Sequence, residues 1–182
     1  MDGWLGTDQN KLWIKSEGER TNGKTEKLNV WVLYSRNMAT FWDAQVGVRV
    51  DNDPKATTYF VAGFEGLAPY FFETEAHAFV SKDGDVSLRF KQRNDFLVTQ
   101  RLILQPFFEL TANGQSDESS RQGSGLSKGE LGVQARYEIT RKFAPYFEMK
   151  YHRKFGQTAS YAKADHEDVD AWVAQVGLRL MF

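Results

Sequence analysis

Apolar and polar residues alternate along most of this chain with a period of two, the repeat of a strand with two unlike faces, and not with the 3.6 of a helix. Trp42, Ala44, Val46, Val48 and Val50 share one face, and Asp43, Gln45, Gly47, Arg49 and Asp51 share the other. Near the C-terminus, Trp172, Ala174, Val176, Leu178, Leu180 and Phe182 oppose Val173, Gln175, Gly177, Arg179 and Met181. Phe72, Thr74, Ala76, Ala78 and Val80 alternate with Glu73, Glu75, His77, Phe79 and Ser81. About ten segments obey the rule, near 8–20, 24–36, 40–52, 56–66, 70–82, 84–96, 100–113, 126–140, 145–156 and 169–182. Most run to roughly 11–14 residues, where a globular strand has ~5–6 and a tilted strand crossing a bilayer needs ~9–11.

The connections are of two kinds. Arg36 to Ala39, Leu67 to Pro69, Asp95 to Thr99 and Arg141 to Ala144 are short, whereas Asn113 to Lys128 and Gly156 to Asp168 are long and polar. Short turns on one side and long loops on the other are the habit of outer-membrane barrels, whose short turns face the periplasm. The longer loop Asn113 to Lys128, rich in Ser, Gly and Gln, is expected to be mobile. Three strands open alike, with Pro69-Tyr70-Phe71-Phe72-Glu73, Pro106-Phe107-Phe108-Glu109 and Pro145-Tyr146-Phe147-Glu148. Aromatic side chains at a common depth predict a girdle at the membrane–water interface, with each following Glu turned inward. The pattern therefore predicts an all-β protein, an antiparallel up-and-down transmembrane β-barrel of about ten strands, with eight to twelve allowed. It forms a single outer-membrane domain over residues 1–182 with both termini in the periplasm.

Composition changes this picture little. The 182 residues suit one domain; aromatics make up 14% and the net charge is −1, so nothing in bulk favours a nucleic-acid partner. Mean hydropathy is −0.53, which a barrel tolerates because its lipid-facing and lumen-facing residues average out. With no cysteine, disulfides and thiolate metal sites are excluded. Met1-Asp2-Gly3-Trp4 lacks the features of a secretion signal, so the chain is expected to be a mature piece with an added Met. Its end on an aromatic inside a strand matches strands read by the outer-membrane insertion machinery.

Period two does not by itself say which face meets the core. The recurrence of the apolar set at similar length and the aromatics at strand ends favour the membrane arrangement, with the polar set inside. That inner set holds eleven cations, among them Lys11, Lys15, Arg49, Arg93, Arg136 and Lys150, and eleven acids, among them Asp43, Asp51, Glu65, Glu73, Glu109, Glu130 and Glu148. Unpaired charge in a narrow lumen is costly, so equal numbers predict paired networks and a polar plug. Water-filled general pores use ~16–18 strands.

The wording of the chain resembles the copper resistance protein B family of bacterial outer membranes. The similarity lies in GWLGTDQNKLWIKSEGE (Gly3 to Glu19), GLAPYFFETEA (Gly66 to Ala76) and TQRLILQP (Thr99 to Pro106). It is strongest in GSGLSKGELGVQARYEITRKFAPY (Gly123 to Tyr146) and RKFGQTASYAKADHEDV (Arg153 to Val169). The resemblance implies an outer-membrane protein of copper tolerance that binds copper or helps export it from the periplasm, and it supplies no catalytic motif. Members of that family carry a Met- and His-rich segment before the barrel, which this chain is expected to lack. The expected partners are copper ions, outer-membrane lipid and a periplasmic copper-binding protein, for a monomer that is not an enzyme.

Copper(I) favours thioethers, and copper(II) favours imidazole and carboxylate. His77 with Glu73 and Glu75 is the first candidate set, because alternate residues of one strand lie ~6.6–6.8 Å apart on one face. His152 is inward by parity but lies between Lys150 and Lys154. Met38, in a short turn, and Met181, at the inner end of the last strand, are the thioether candidates. His166, with Asp165, Glu167 and Asp168, forms an acidic loop cluster where a rim hydrolase site is the alternative. A charge-plugged docking barrel is the other alternative.

Overall fold

The computed structural model describes residues 2–21, 24–52, 56–116, 121–140 and 142–180. Twelve strands form: β1 (Asp2–Gly6), β2 (Asn10–Thr21), β3 (Lys24–Ala39), β4 (Trp42–Asp51), β5 (Thr57–Ala68), β6 (Phe72–Ser81), β7 (Val86–Arg93), β8 (Phe96–Leu97), β9 (Leu102–Asn113), β10 (Gly125–Tyr137), β11 (Phe143–Lys154) and β12 (Asp170–Leu180). One helix, α1 (Gly156–Ala164), lies between β11 and β12. Pairing is antiparallel and follows chain order from β1 to β7 and on through β9 to β12, with β8 paired to β9 off that path. All ten expected segments are strands. The additions are β1, which sets Trp4 opposite Trp13, and β8, a continuation of β7 after an interruption at Asn94 and Asp95.

The strands form two compact sets, each taken on its own: Met1–Leu67 with Glu75–Leu88, and Ala68–Thr74 with Arg89–Phe182. In the first set, register carries the alternation from strand to strand. Val30 faces Val50, Val32 faces Val48, Tyr34 faces Val46, and Phe60 faces Val48. All of these side chains are exposed. The opposite parity builds inward rungs, Lys15–Trp31–Arg49–Tyr59 and Trp13–Leu33–Gly47–Val61. Trp31, Leu33, Val61 and Phe79 form a buried cluster against which Trp13 and Tyr59 pack. The inner face is therefore not the purely polar plug expected. An aromatic and aliphatic layer fills part of it, because inward parity also falls on Trp13, Trp31, Leu33, Tyr59 and Phe79.

In the second set, Leu131, Val133, Phe147, Met149, Trp172, Val176 and Leu178 are exposed, and register places Leu131 beside Tyr151, Val133 beside Met149, and Phe147 beside Val176. Inward rungs carry Glu130, Gln134, Arg136, Glu148, Lys150 and Gln175.

Two expectations about connections change. Gly156 to Asp168 is not an irregular loop, since its first nine residues form α1. Met38 is not in a turn but at the end of β3, where a register shift between Asn37 and Ala39 marks a bulge. The turn proper falls at Thr40 and Phe41. Phe41, Tyr70 and Phe71 all have positive φ (68°, 65° and 61°). In bulky L-residues each such left-handed conformation costs on the order of 1–3 kcal/mol.

Candidate functional site

The inner face is the chemically distinctive part of the molecule. In the first set of strands its charges stand in layers. Nearest the Thr40–Phe41 turn, Lys11 pairs with Asp43 at 2.9 Å, and Ser35 Oγ and Asn37 Nδ2 donate to the same carboxylate. In the next layer, Lys15 Nζ donates to Glu65 at 2.8 Å and Gln45 Nε2 donates to the same oxygen at 2.9 Å. The other amide atom, Gln45 Oε1, lies 3.0 Å from His77 Nε2. Because the amide nitrogen serves the carboxylate, its oxygen must accept, and His77 Nε2 carries the proton. Gln45 and His77 are both buried, so this chain of hydrogen bonds is shielded from water and strengthened by it.

The third layer centres on Arg49. Its Nε and a terminal nitrogen reach the two carboxylate oxygens of Asp51 at 2.5 and 2.6 Å. The guanidinium carbon stands 5.0 Å from the Trp31 ring centroid, 5.1 Å from Phe79 and 5.7 Å from Tyr59. A planar fork paired at its edge and stacked on its faces is a use of arginine that lysine does not reproduce. His77 meets Trp31 edge-on, with centroids 5.8 Å apart.

In the second set, Arg93 pairs with Glu73, Arg89 with Glu109 at 2.7 Å, and Arg136 with Asp95 at 3.0 Å. Glu130 sits between Lys128 at 2.5 Å and Lys150 at 3.2 Å. Glu148 accepts from Gln134 and Gln175. Glu130 lies opposite Glu109 across the strand pair. Each like charge is relieved by its own cations. For these residues the expected pairing of inner charges is borne out, and all three strand-opening glutamates are engaged on this face.

α1 and the loops beside it are held by a separate set of contacts. Thr158 Oγ1 accepts from Gly123 N at 2.9 Å, Arg121 pairs with Asp165 at 2.9 Å and lies 5.8 Å from the Tyr161 ring, and Lys154 pairs with Glu167 at 2.8 Å. The Lys154 hydrogen bond holds the Glu167 carboxyl below the usual carboxylate range, aided by that charge. Two of the acids around His166 thus serve as ion-pair braces.

The candidate copper ligands are dispersed. Glu73 is taken by Arg93, and Glu75 lies half-buried on β6. His77 is committed through Nε2 to Gln45. His152 faces Glu130, which is already held by two lysines. Met38 is exposed, and Met181 lies outside the described residues. Among the described residues no group of three or more His, Asp or Glu is arranged to hold a metal ion. Parity had put Gln45 on the inner face, but nothing in the sequence marked it as the bridge between Glu65 and His77.

An antiparallel meander in chain order, with an exposed apolar face and a buried ionic one, is the fold of a class, the porin-type β-barrel. A NanC porin structure matches with a TM-score of 0.66 over 100% of this chain and 91% of that chain, at 11% identity, a likeness of fold. The family described as copper resistance protein B precursor (CopB) matches residues 1–182, and this chain belongs to it. It is similar to copper resistance protein B of Escherichia coli, 42% identical over 183 residues. It is also similar to the copper resistance protein B homolog of Pseudomonas syringae pv. tomato, at 43%. The alignments cover 100% of this chain and 62% of each relative, so the chain spans less than two thirds of their length.

Proposed function

We infer that this chain is an outer-membrane barrel that serves bacterial copper resistance and is not an enzyme, with copper as its cargo and not a resident cofactor. One observation carries the membrane half of this reading: the two faces are inverted relative to a soluble protein. Val176 is 80% exposed and Leu131 64%, while the Arg136 side chain is 5% exposed. Such a surface is stable where hydrocarbon surrounds it and the buried charges behind it are paired. The copper half follows from the family and from its named relatives. We assign the short turns and both termini to the periplasm, where a copper-binding partner would meet the barrel.

The candidate copper contacts are His77, with Glu73 and Glu75, then His152, Met38 and Met181. For copper to bind His77, Gln45 must release Nε2 or the ring must use Nδ1. The buried aromatic layer around Arg49 favours a second reading, a barrel closed on that side that docks a periplasmic copper carrier.

Expression in a copper-sensitive strain lacking its own relative tests the function. The expected result is recovery in the outer-membrane fraction with restored growth on copper. Recovery in the soluble fraction overturns the barrel reading, and correct localisation without copper tolerance overturns the copper reading. Steady current in planar bilayers separates a conducting path from the closed alternative.

A further inference from the structure

The end of the inner face nearest α1 holds lysines that the copper reading leaves unused. Register sets Lys128 of β10 directly opposite Lys154 of β11, and on the next rung of the same face Glu130 opposite His152. Like charges directly opposite each other destabilise a strand pair. Here each ammonium group is held by a carboxylate from a different place. Lys128 meets Glu130 at 2.5 Å, and Lys150 reaches the other oxygen of that carboxylate at 3.2 Å. Lys154 meets Glu167 at 2.8 Å, and Glu167 comes from the loop after α1. The two carboxylates differ in how easily they leave. The Glu130 side chain is 11% exposed and that of Glu167 is 63% exposed. The Glu167 backbone is fixed separately, because its N–H donates to the Ala162 carbonyl at 2.8 Å. Its side chain can therefore swing away while the loop keeps its course. Both opposed lysines are partly open to solvent, Lys128 more than Lys154.

We propose that Lys128 and Lys154 form a binding site for a small soluble oxyanion, a phosphate or a carboxylate, and that the Glu167 carboxylate is its built-in competitor. The site goes beyond the copper reading and does not depend on it. Glu167 itself shows the chemistry that Lys154 accepts, a carboxylate oxygen within hydrogen-bond distance. Two ammonium groups facing each other across one strand pair suit an anion that takes a charge-assisted hydrogen bond from each, and lysine serves such anions as a compact point charge. An oxyanion between them also relieves the repulsion that their register imposes. Both lysines share the face of the buried Glu130 and not that of the exposed Leu131, so the ligand is a solute and not a lipid phosphate. Binding displaces Glu167 and so removes the ion pair that braces the loop after α1 to β11.

The full chain is folded into micelles of a maltoside detergent, which contains no phosphorus, with circular dichroism confirming strand content. Inorganic phosphate is titrated at constant ionic strength, and its phosphorus NMR line width reports binding. The expected result is saturable broadening in the parent chain. Lys128→Gln and Lys154→Gln should each weaken binding by about tenfold, the loss of one charge-assisted hydrogen bond. Lys154→Arg should retain it. Glu167→Gln should tighten it a few-fold, the order that an exposed ion pair is worth. Lys154→Gln combined with Glu167→Gln removes both members of one pair, and it replaces the single lysine variant should that variant fail to fold. Amide exchange of α1 in the parent chain should quicken as phosphate is added and should not respond to phosphate in Lys154→Gln. No saturable broadening in either the parent or Glu167→Gln overturns the site. Broadening that neither lysine exchange weakens places the anion elsewhere and overturns it equally. Binding that Glu167→Gln leaves no tighter overturns the role of Glu167 as competitor.

Discussion

Arg49 is the residue whose environment is most completely specified. Asp51 holds its edge and three rings hold its faces. Replacing it with Met keeps bulk but removes both hydrogen bonds to the half-buried Asp51 carboxylate, and the cost expected is about 1.5–3 kcal/mol. Adding Asp51→Asn should return much of that loss. Urea unfolding of the four chains of the cycle, folded in vesicles, checks both statements, and additive losses would mean that the pair is not coupled. At this scale the sequence was only partly legible. Parity told which side chains share a face, but not which neighbour each would meet. Glu73, Glu75 and His77 looked like a converging set because they alternate on one strand. Residues on other strands compete for these side chains, and here Arg93 claims Glu73 and Gln45 claims His77. An alternating run of ligand types therefore says little about a metal until the adjacent strands are placed.

Among the elements, the β11–β12 pair shows how close packing replaces a side chain. Gly177 lies opposite Tyr146, and a Cβ there would fall 2.4 Å from the Tyr146 ring. The ring covers the glycine of the next strand, a cross-strand pairing that designed sheets also use. Gly177→Ala should cost roughly 1–3 kcal/mol by overpacking, and should cost less when combined with Tyr146→Ser; thermal unfolding of the single and double variants tests this.

α1 responds to pH. Its neighbour Glu167 has a folded pKa below its unfolded value, so its contribution is complete above the unfolded pKa and is lost as pH falls through the folded one. Amide exchange of α1, corrected for intrinsic rates, should therefore quicken on acidification. Glu167→Gln should remove that part of the pH response; an unchanged response would assign it elsewhere. The helix itself was missed because QTASYAKA is polar and lies between strands. The available signal was Ala159, Ala162 and Ala164 among good helix formers, with Lys163 in the last turn.

For the whole molecule, period two made the antiparallel order legible, because in a meander each strand pairs with its sequence neighbour and no long-range choice remains. It could not reveal the interruption of β7, which depends on Asn94 and Asp95 being drawn to Tyr70, Gln105 and Arg136. It also could not assign the faces, which required knowing that the charged rungs are buried. If hydrocarbon surrounds the outer face, Leu131→Arg should lower stability in vesicles by about 2–4 kcal/mol if it lies near the midplane. The same change should have little effect on a chain whose outer face meets water, and unfolding in bilayers distinguishes the two.

The paired rungs also limit how this chain can vary. Lys15 and Glu65 lie on β2 and β5, and Arg136 and Asp95 meet across the β7–β9 connection. A mutation at one member removes the opposite charge from the other on a face where these side chains are only 5–35% exposed, so single exchanges are selected against while joint exchanges are not. Among aligned relatives, Lys15 with Glu65 and Arg136 with Asp95 should therefore change together or not at all, whereas Val176 and Leu131 should drift independently among apolar types. The folded interior would be readable as co-variation in a family alignment, and independent drift at those charged pairs would refute this reading of the inner face.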